Sequence, residues 1–268
     1  MARRLLSALL LALLLGLTLP TARAQPGNAP LPDCSRPLTL AYHDHGLLYS
    51  KAEDRGIDKD VAMEMLRRSG CRIEISVMPR ARIWKLIESG ELDFSMSGIS
   101  NESRERFASF AWYLYNKYYL IVRRDAGVSS LAGFEGRPAL RLGAIRSFRY
   151  SPRLNQLVDR LAAQQRITEV SDHEQLLSMM KLDRIQGMII EPFNYGQVDR
   201  RALADLTRII DVGDPPVLHG LIMSRRALPE AEQANWRALI DGMRRDGTLL
   251  KILSRYFEPE LARSMVSF

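Results

Sequence analysis

The chain has 268 residues, with 38 Lys and Arg against 31 Asp and Glu for a formal charge of +7, and 46% apolar against 26% charged residues. That balance excludes a disordered chain, a collagen-like repeat and a disulfide-dense miniprotein, and the length admits one large domain or two modest ones. Its Arg residues are scattered and interleaved with acids, which excludes a nucleic-acid-binding stripe.

Residues 1–24 read as a secretory signal peptide. Arg3 and Arg4 form a positive start, an apolar run extends from Leu5 to Leu19, and Ala22-Arg23-Ala24 supplies the small residues that cleavage requires. The run is too short for a span of ~20 residues. Cleavage removes three Arg and lowers the net charge from +7 to +4. The mature chain is expected to be soluble and exported to the periplasm. In that compartment an even pair of cysteines suggests a disulfide. Cys34 precedes one predicted strand, Leu38–Ala41, and Cys71 opens the next, Arg72–Val77. As parallel neighbours these strands would hold both cysteines at one end of a sheet, and a Cys34–Cys71 bond is expected.

From residue 38 short apolar strands alternate with amphipathic helices. Val61, Ala62, Met65 and Leu66 recur at helical spacing before Ser69-Gly70. A short helix carries Ile83, Leu86 and Ile87 and stops at Gly90; Leu92–Met96 is the next strand. This order implies a parallel sheet covered by helices. A second series follows: strand Leu140–Ala144, helix Leu154–Ala163, strand Ile167–Val170, helix Leu176–Leu182 and strand Met188–Ile190. Two strand-like segments, Tyr118–Arg123 and Leu218–Ser224, separate the units. The helical end of the chain, with Trp236, Leu239 and Ile240 on one face and a last helix over Thr248–Phe257, has no strands of its own to cover. It is expected to return to the first unit, so that two crossings form a hinge with a cleft beside it.

At this point the residues resemble a family, the bacterial extracellular solute-binding proteins of the amino-acid type that feed ABC importers. Gly56-Ile57-Asp58-Lys59-Asp60 looks like its Gly-aromatic-Asp-x-Asp. Leu86 to Asp93 looks like its Leu-x-x-Gly-x-x-Asp turn, and Glu102-Ser103-Arg104 with Phe110 resembles its Thr-Pro-Glu-Arg…Phe-Ser segment. Ser130 to Gly136 resembles its Ser-Leu-x-Asp-Leu-x-Gly, and Asp246-Gly247-Thr248 with Ile252 its closing helix. The resemblance implies an α/β fold of the periplasmic-binding-protein type: two doubly wound lobes joined by a two-segment hinge (type II). Lobe 1 is expected over 25–117 plus 217–268, and lobe 2 over 118–216. It also implies capture of an amino acid or related small carboxylate between the lobes by a monomer, for delivery to a membrane permease.

Ligands of such sheets bind beyond the carboxyl ends of the strands. Arg104 follows the third strand, its planar fork suits a carboxylate, and in the resembled family the matching Arg holds the ligand's α-carboxylate. Ser147 follows the first strand of lobe 2 and offers a hydroxyl to the same group. Glu191 ends the strand Met188–Ile190, where the family has an Asp that meets the ligand's ammonium. Seven aromatics crowd residues 107–119; about half are expected in the core and others, Trp112 among them, along the cleft, with Tyr42 as a further wall. Asn101 stands where the family has Thr. Arg80 and Arg82 follow the second strand; if one of them faces the cleft, a ligand with more than one acidic group is favoured. His43-Asp44-His45 invites a metal reading, but no third ligand is evident in the sequence, and neither a metal nor another cofactor is expected. The alternatives are a cyclohexadienyl-dehydratase-like enzyme, with Glu191, His43 or Asp44 as general acid, and a detached ligand-sensing module.

Overall fold

A computed structural model describes residues 31–194, 196 and 203–268. The expected signal peptide, residues 1–24, lies outside the described residues. Two five-stranded sheets form the two lobes, with strand orders β2-β1-β3-β10-β4 and β7-β6-β8-β5-β9.

In the first lobe β1 (Leu38–Tyr42), β2 (Ile73–Val77) and β3 (Phe94–Gly98) are parallel, joined by α1 (Ile57–Ser69) and α2 (Arg80–Ser89). Gly70 and Gly90 close these helices in the left-handed conformation. After α3 (Glu102–Glu105) comes β4 (Ala108–Asn116). It pairs antiparallel with β10 (Val217–Ser224), which also runs antiparallel to β3. The sheet is therefore mixed, where β-α-β order alone implies a parallel one. The two segments that separate the units enter different sheets: β5 (Tyr119–Arg123) lies in the second and β10 in the first.

The second lobe repeats the plan. Its parallel strands are β7 (Ile167–Val170), β6 (Leu142–Ile145) and β8 (Gly187–Ile190). β5 is antiparallel to β8 and to β9 (Thr207–Ile210). The helices α4 (Leu131–Glu135), α5 (Pro152–Ala163) and α6 (His173–Lys181) complete it. Leu154, Leu157 and Leu161 of α5 pack on one face of the sheet, and Leu176, Leu177 and Met180 of α6 on the other.

The chain crosses to the second sheet between β4 and β5 and returns between β9 and β10, where Lys117 and Asp211 pair at 2.7 Å across the two crossings. The returning helix α7 (Glu230–Arg245) lays Trp236, Ile240 and Met243 into the core of the first lobe, with Trp236 edge-on to Phe94 at 4.9 Å. The last stretch is two short helices, α8 (Thr248–Leu253) and α9 (Pro259–Met265), rather than one over 248–257. Pro259 at the start of α9 fixes the second beginning. Cys34 and Cys71 are disulfide-bonded, with Cα atoms 4.8 Å apart. They stand just before the paired starts of β1 and β2, where Leu38 aligns with Ile73. No helix among the described residues is long and apolar enough to cross a membrane.

Candidate functional site

The carboxyl ends of both sheets face one cleft. From the first lobe come His43, His45 and Leu48 of the loop after β1, Arg80 and Trp84 of α2, Ser97, Ile99, Arg104 and His219. The second lobe contributes Tyr118 and the loop after β6, with Ser147, Phe148 and Arg149. This lining holds three guanidinium groups and no carboxylate among the described residues.

Arg104 is positioned by a cap. Asn101 Oδ1 accepts hydrogen bonds from Arg104 N (2.9 Å) and Ser103 Oγ (2.8 Å), which starts α3 and turns Arg104 inward. The guanidinium lies 4.1 Å over the Trp84 ring. It donates to Ile99 O and, across the cleft, to Ser147 O, each at 2.8 Å. Burial and the nearby charges of Arg80 and Arg149 lower its pKa. Arg80 is also buried, and it donates to Met96 O at 3.0 Å and to the His43 ring at 2.7 Å. Burial lowers it too. An anion would offset both costs. Arg82 is exposed.

Two cleft residues have left-handed backbone, Ser97 (φ 53°) and Ser147 (φ 64°). Ser97 is held so by a buried network: its N–H donates to Tyr113 Oη (2.7 Å), and both hydroxyls donate to Asp58 Oδ1 at 2.6 Å. Burial pushes Asp58 up to about 6, against the opposing effect of those two donors. Ser147 is exposed and its carbonyl, rather than its hydroxyl, receives Arg104.

Glu191 leaves β8 into the turn Pro192–Asn194, but it does not line the cleft. It is buried against His45, which contacts Oε1 through Nε2, and it accepts from Asn194 Nδ2 at 2.7 Å. Burial pushes it up to about 7. Its expected meeting with a ligand ammonium is thus taken by an imidazole from the other lobe. Tyr42 is placed in the core of the first lobe, stacked on Tyr49 at 4.5 Å, and Trp112 stacks on Phe110 at 5.0 Å in the cluster under α2. Neither reaches the cleft; of the aromatic run, Tyr118 does. Asn101 borders a separate shallow pocket beside Arg149 and Tyr150.

The sequence reading passes over Trp84, Ser97, Phe148 and Arg149. Arg149 had one available signal, its place two residues after Ser147 in the loop beyond a strand. All four histidines of the chain converge here. Asp172 Oδ1 caps α6 through Gln175 N at 2.9 Å, which sets His173 as the first helical residue, 4.3 Å ring to ring from His45. Burial holds His45, His173 and His219 down to about 3, and His43 well below its ordinary value. His45, His173 and Glu191 have donor atoms within 4.8 Å of one another.

The sequence matches the bacterial extracellular solute-binding proteins, family 3, over residues 41–259. The chain belongs to this family. Among curated proteins none matches the sequence. The arginine-, lysine- and histidine-binding protein ArtJ of Geobacillus stearothermophilus superposes with a TM-score of 0.71 at 13% identity, covering 85% of this chain and 99% of that one. A substrate-binding protein of an ABC uptake transporter from Streptococcus pneumoniae, solved with histidine, gives 0.67 at 13% identity over 82% and 92% of the two chains. An ancestral amino-acid-binding protein, a precursor of cyclohexadienyl dehydratase, gives 0.69 at 16% identity over 83% and 96%. At these identities the likeness is one of fold.

Proposed function

We propose that this family member captures a small carboxylate between its lobes, in the periplasm, and delivers it to the permease of an ABC importer. Lobe 1 comprises residues 25–117 plus 217–268 and lobe 2 comprises 118–216, turning about the two crossings. A ligand that touches both lobes only when they are shut shifts the open–closed equilibrium towards the shut form. The observation that carries the reading is the lining: Arg80, Arg104 and Arg149 with no carboxylate among the described residues that line the cleft. It favours a mono- or dicarboxylate over a zwitterion, because the one acid expected to meet an ammonium, Glu191, is already engaged by His45.

The test is a thermal-shift screen of residues 25–268, refolded to strip bound ligand and kept in EDTA, against small carboxylates and amino acids. Ligand at about 100 times its dissociation constant stabilises by about 2.7 kcal/mol. A carboxylate shift that disappears in Arg104→Ala is the expected result; a shift that persists removes Arg104 from the site, and a response only to cationic solutes overturns the reading.

A second reading, an elimination enzyme on the same fold, has one observation in its favour: a buried carboxyl that burial pushes up to about 7. Steady turnover of prephenate or arogenate that Glu191→Gln abolishes supports it.

A further inference from the structure

We propose that His45, His173 and Glu191 form a binding site for a borderline divalent transition cation, which ties the two lobes together. The three residues come from separate elements: the loop after β1, the first turn of α6 and the end of β8. All are buried, and their ligand atoms lie within 4.8 Å of one another. Ligands about 2.0–2.2 Å from a common ion stand roughly 3.3 Å apart, so His45 Nε2 and Glu191 Oε1, which are in direct contact, must part to admit the ion while His173 draws in.

A second observation points to a ligand. His45 Nδ1, His173 Nδ1 and Asn194 Oδ1 are buried without a hydrogen-bond partner. Buried polar atoms are rarely left so, and each such group calls for an explanation. An ion held by the two imidazoles would give their unpartnered nitrogens a partner, and Asn194 orients Glu191 through its Nδ2. Entry is available as well. His173 borders a solvent-open groove whose walls carry Asp44, Asp172 and Glu174 against Lys51 and Arg80.

Two imidazoles and one carboxylate suit Zn²⁺, Ni²⁺ or Co²⁺ and do not suit Mg²⁺ or Ca²⁺, which take oxygen ligands. Water, or a donor atom of a captured solute, completes the coordination. Since His45 belongs to the first lobe and the other two ligands to the second, the complete set exists only when the lobes meet. The sequence expectation of no metal rested on the lack of a third ligand beside His43 and His45; the fold supplies two from more than 120 residues away.

The experiment uses untagged, chelator-treated residues 25–268 without organic ligand, so its outcome is separate from that of the carboxylate screen, which is run in EDTA. Zn²⁺ and Ni²⁺ are titrated by calorimetry, with Mg²⁺ and Ca²⁺ for comparison. One transition ion per chain is expected, with no response to Mg²⁺ or Ca²⁺. Loss of an outer partner alone costs about 10–100-fold in affinity, so His45→Asn and His173→Asn are each expected to weaken binding by at least about 100-fold, with far-UV circular dichroism unchanged. Should a variant fail to fold, X-ray absorption of the wild-type zinc complex decides: two imidazoles per ion uphold the site and any other number overturns it. The absence of saturable binding, or affinity unchanged in both folded variants, overturns it equally.

Discussion

Glu191 and His45 are in contact, and burial acts on them in opposite directions. The carboxyl is pushed up to about 7 and the imidazole is held down to about 3. A carboxyl raised in the folded state contributes fully below its unfolded value, and its contribution is lost as pH rises through 7. The histidine, depressed in the folded state, contributes above its unfolded value of about 6.5 and loses this as pH falls towards 3. Glu191→Gln abolishes the first dependence and keeps the second. The melting temperature of the variant minus that of wild type is therefore expected to climb between pH 5 and pH 8, by the equivalent of about 2 kcal/mol. Melting both proteins across that range in EDTA measures it, and a flat difference would place the titrating proton elsewhere. At this scale the sequence was legible only in part. Arg104 could be read from its segment, but the partner of Glu191 stands 146 residues away and leaves no local trace. Tyr42 illustrates how little decides a position. The strand runs one residue further than its apolar pattern suggests, and alternation then turns Tyr42 with Leu40 into the core while His43, like Ala41, takes the other side.

The elements were more legible where one face is wet. Ile167–Val170, partly exposed, has the bounds expected from the sequence, and α5 carries its buried leucines at helical spacing. β4 shows in the sequence only as a crowd of aromatics because both of its faces are covered. Phe110 packs under α2 while Ala111 and Tyr113 face α1 and α7, and Ser109 and Asn116 are buried too, so no exposed polar face marks the period. β1 and β2 are joined covalently as well as by their ladder. The Cys34–Cys71 bond spans a sequence separation of 37, and by the chain-entropy argument it stabilises by roughly 3–4 kcal/mol. The double variant Cys34→Ala/Cys71→Ala is expected to lose that amount in urea unfolding with its fold retained. A loss below about 1 kcal/mol would mean that the unfolded chain is already constrained there.

For the molecule as a whole, the lobes meet through backbone as well as side chains. Leu47 N–H donates to Phe193 O at 3.0 Å. The neighbouring Gly46 has φ 56°, and a Cβ on it would lie 2.3 Å from the same oxygen. Both the left-handed conformation and the close approach exclude a side chain. Gly46→Ala is expected to hold the lobes ajar, with a larger radius of gyration by small-angle scattering and little change in circular dichroism. An unchanged radius would show that this contact does not govern closure.

Phe193 belongs to the turn that follows β8, yet its ring lies in the core of the first lobe, 5.8 Å from Phe257. Parting the lobes withdraws that ring from its socket. Exposing a side chain of this size costs about 1.5–3 kcal/mol, and 1.36 kcal/mol on a barrier is a factor of ten in rate. If the proposed capture operates and this cost falls on the opening step, a phenylalanine outside the lining of the cleft would lengthen the dwell time of a solute roughly 10–100-fold. Under the proposed function, retention would then rest on a residue that takes no part in recognition.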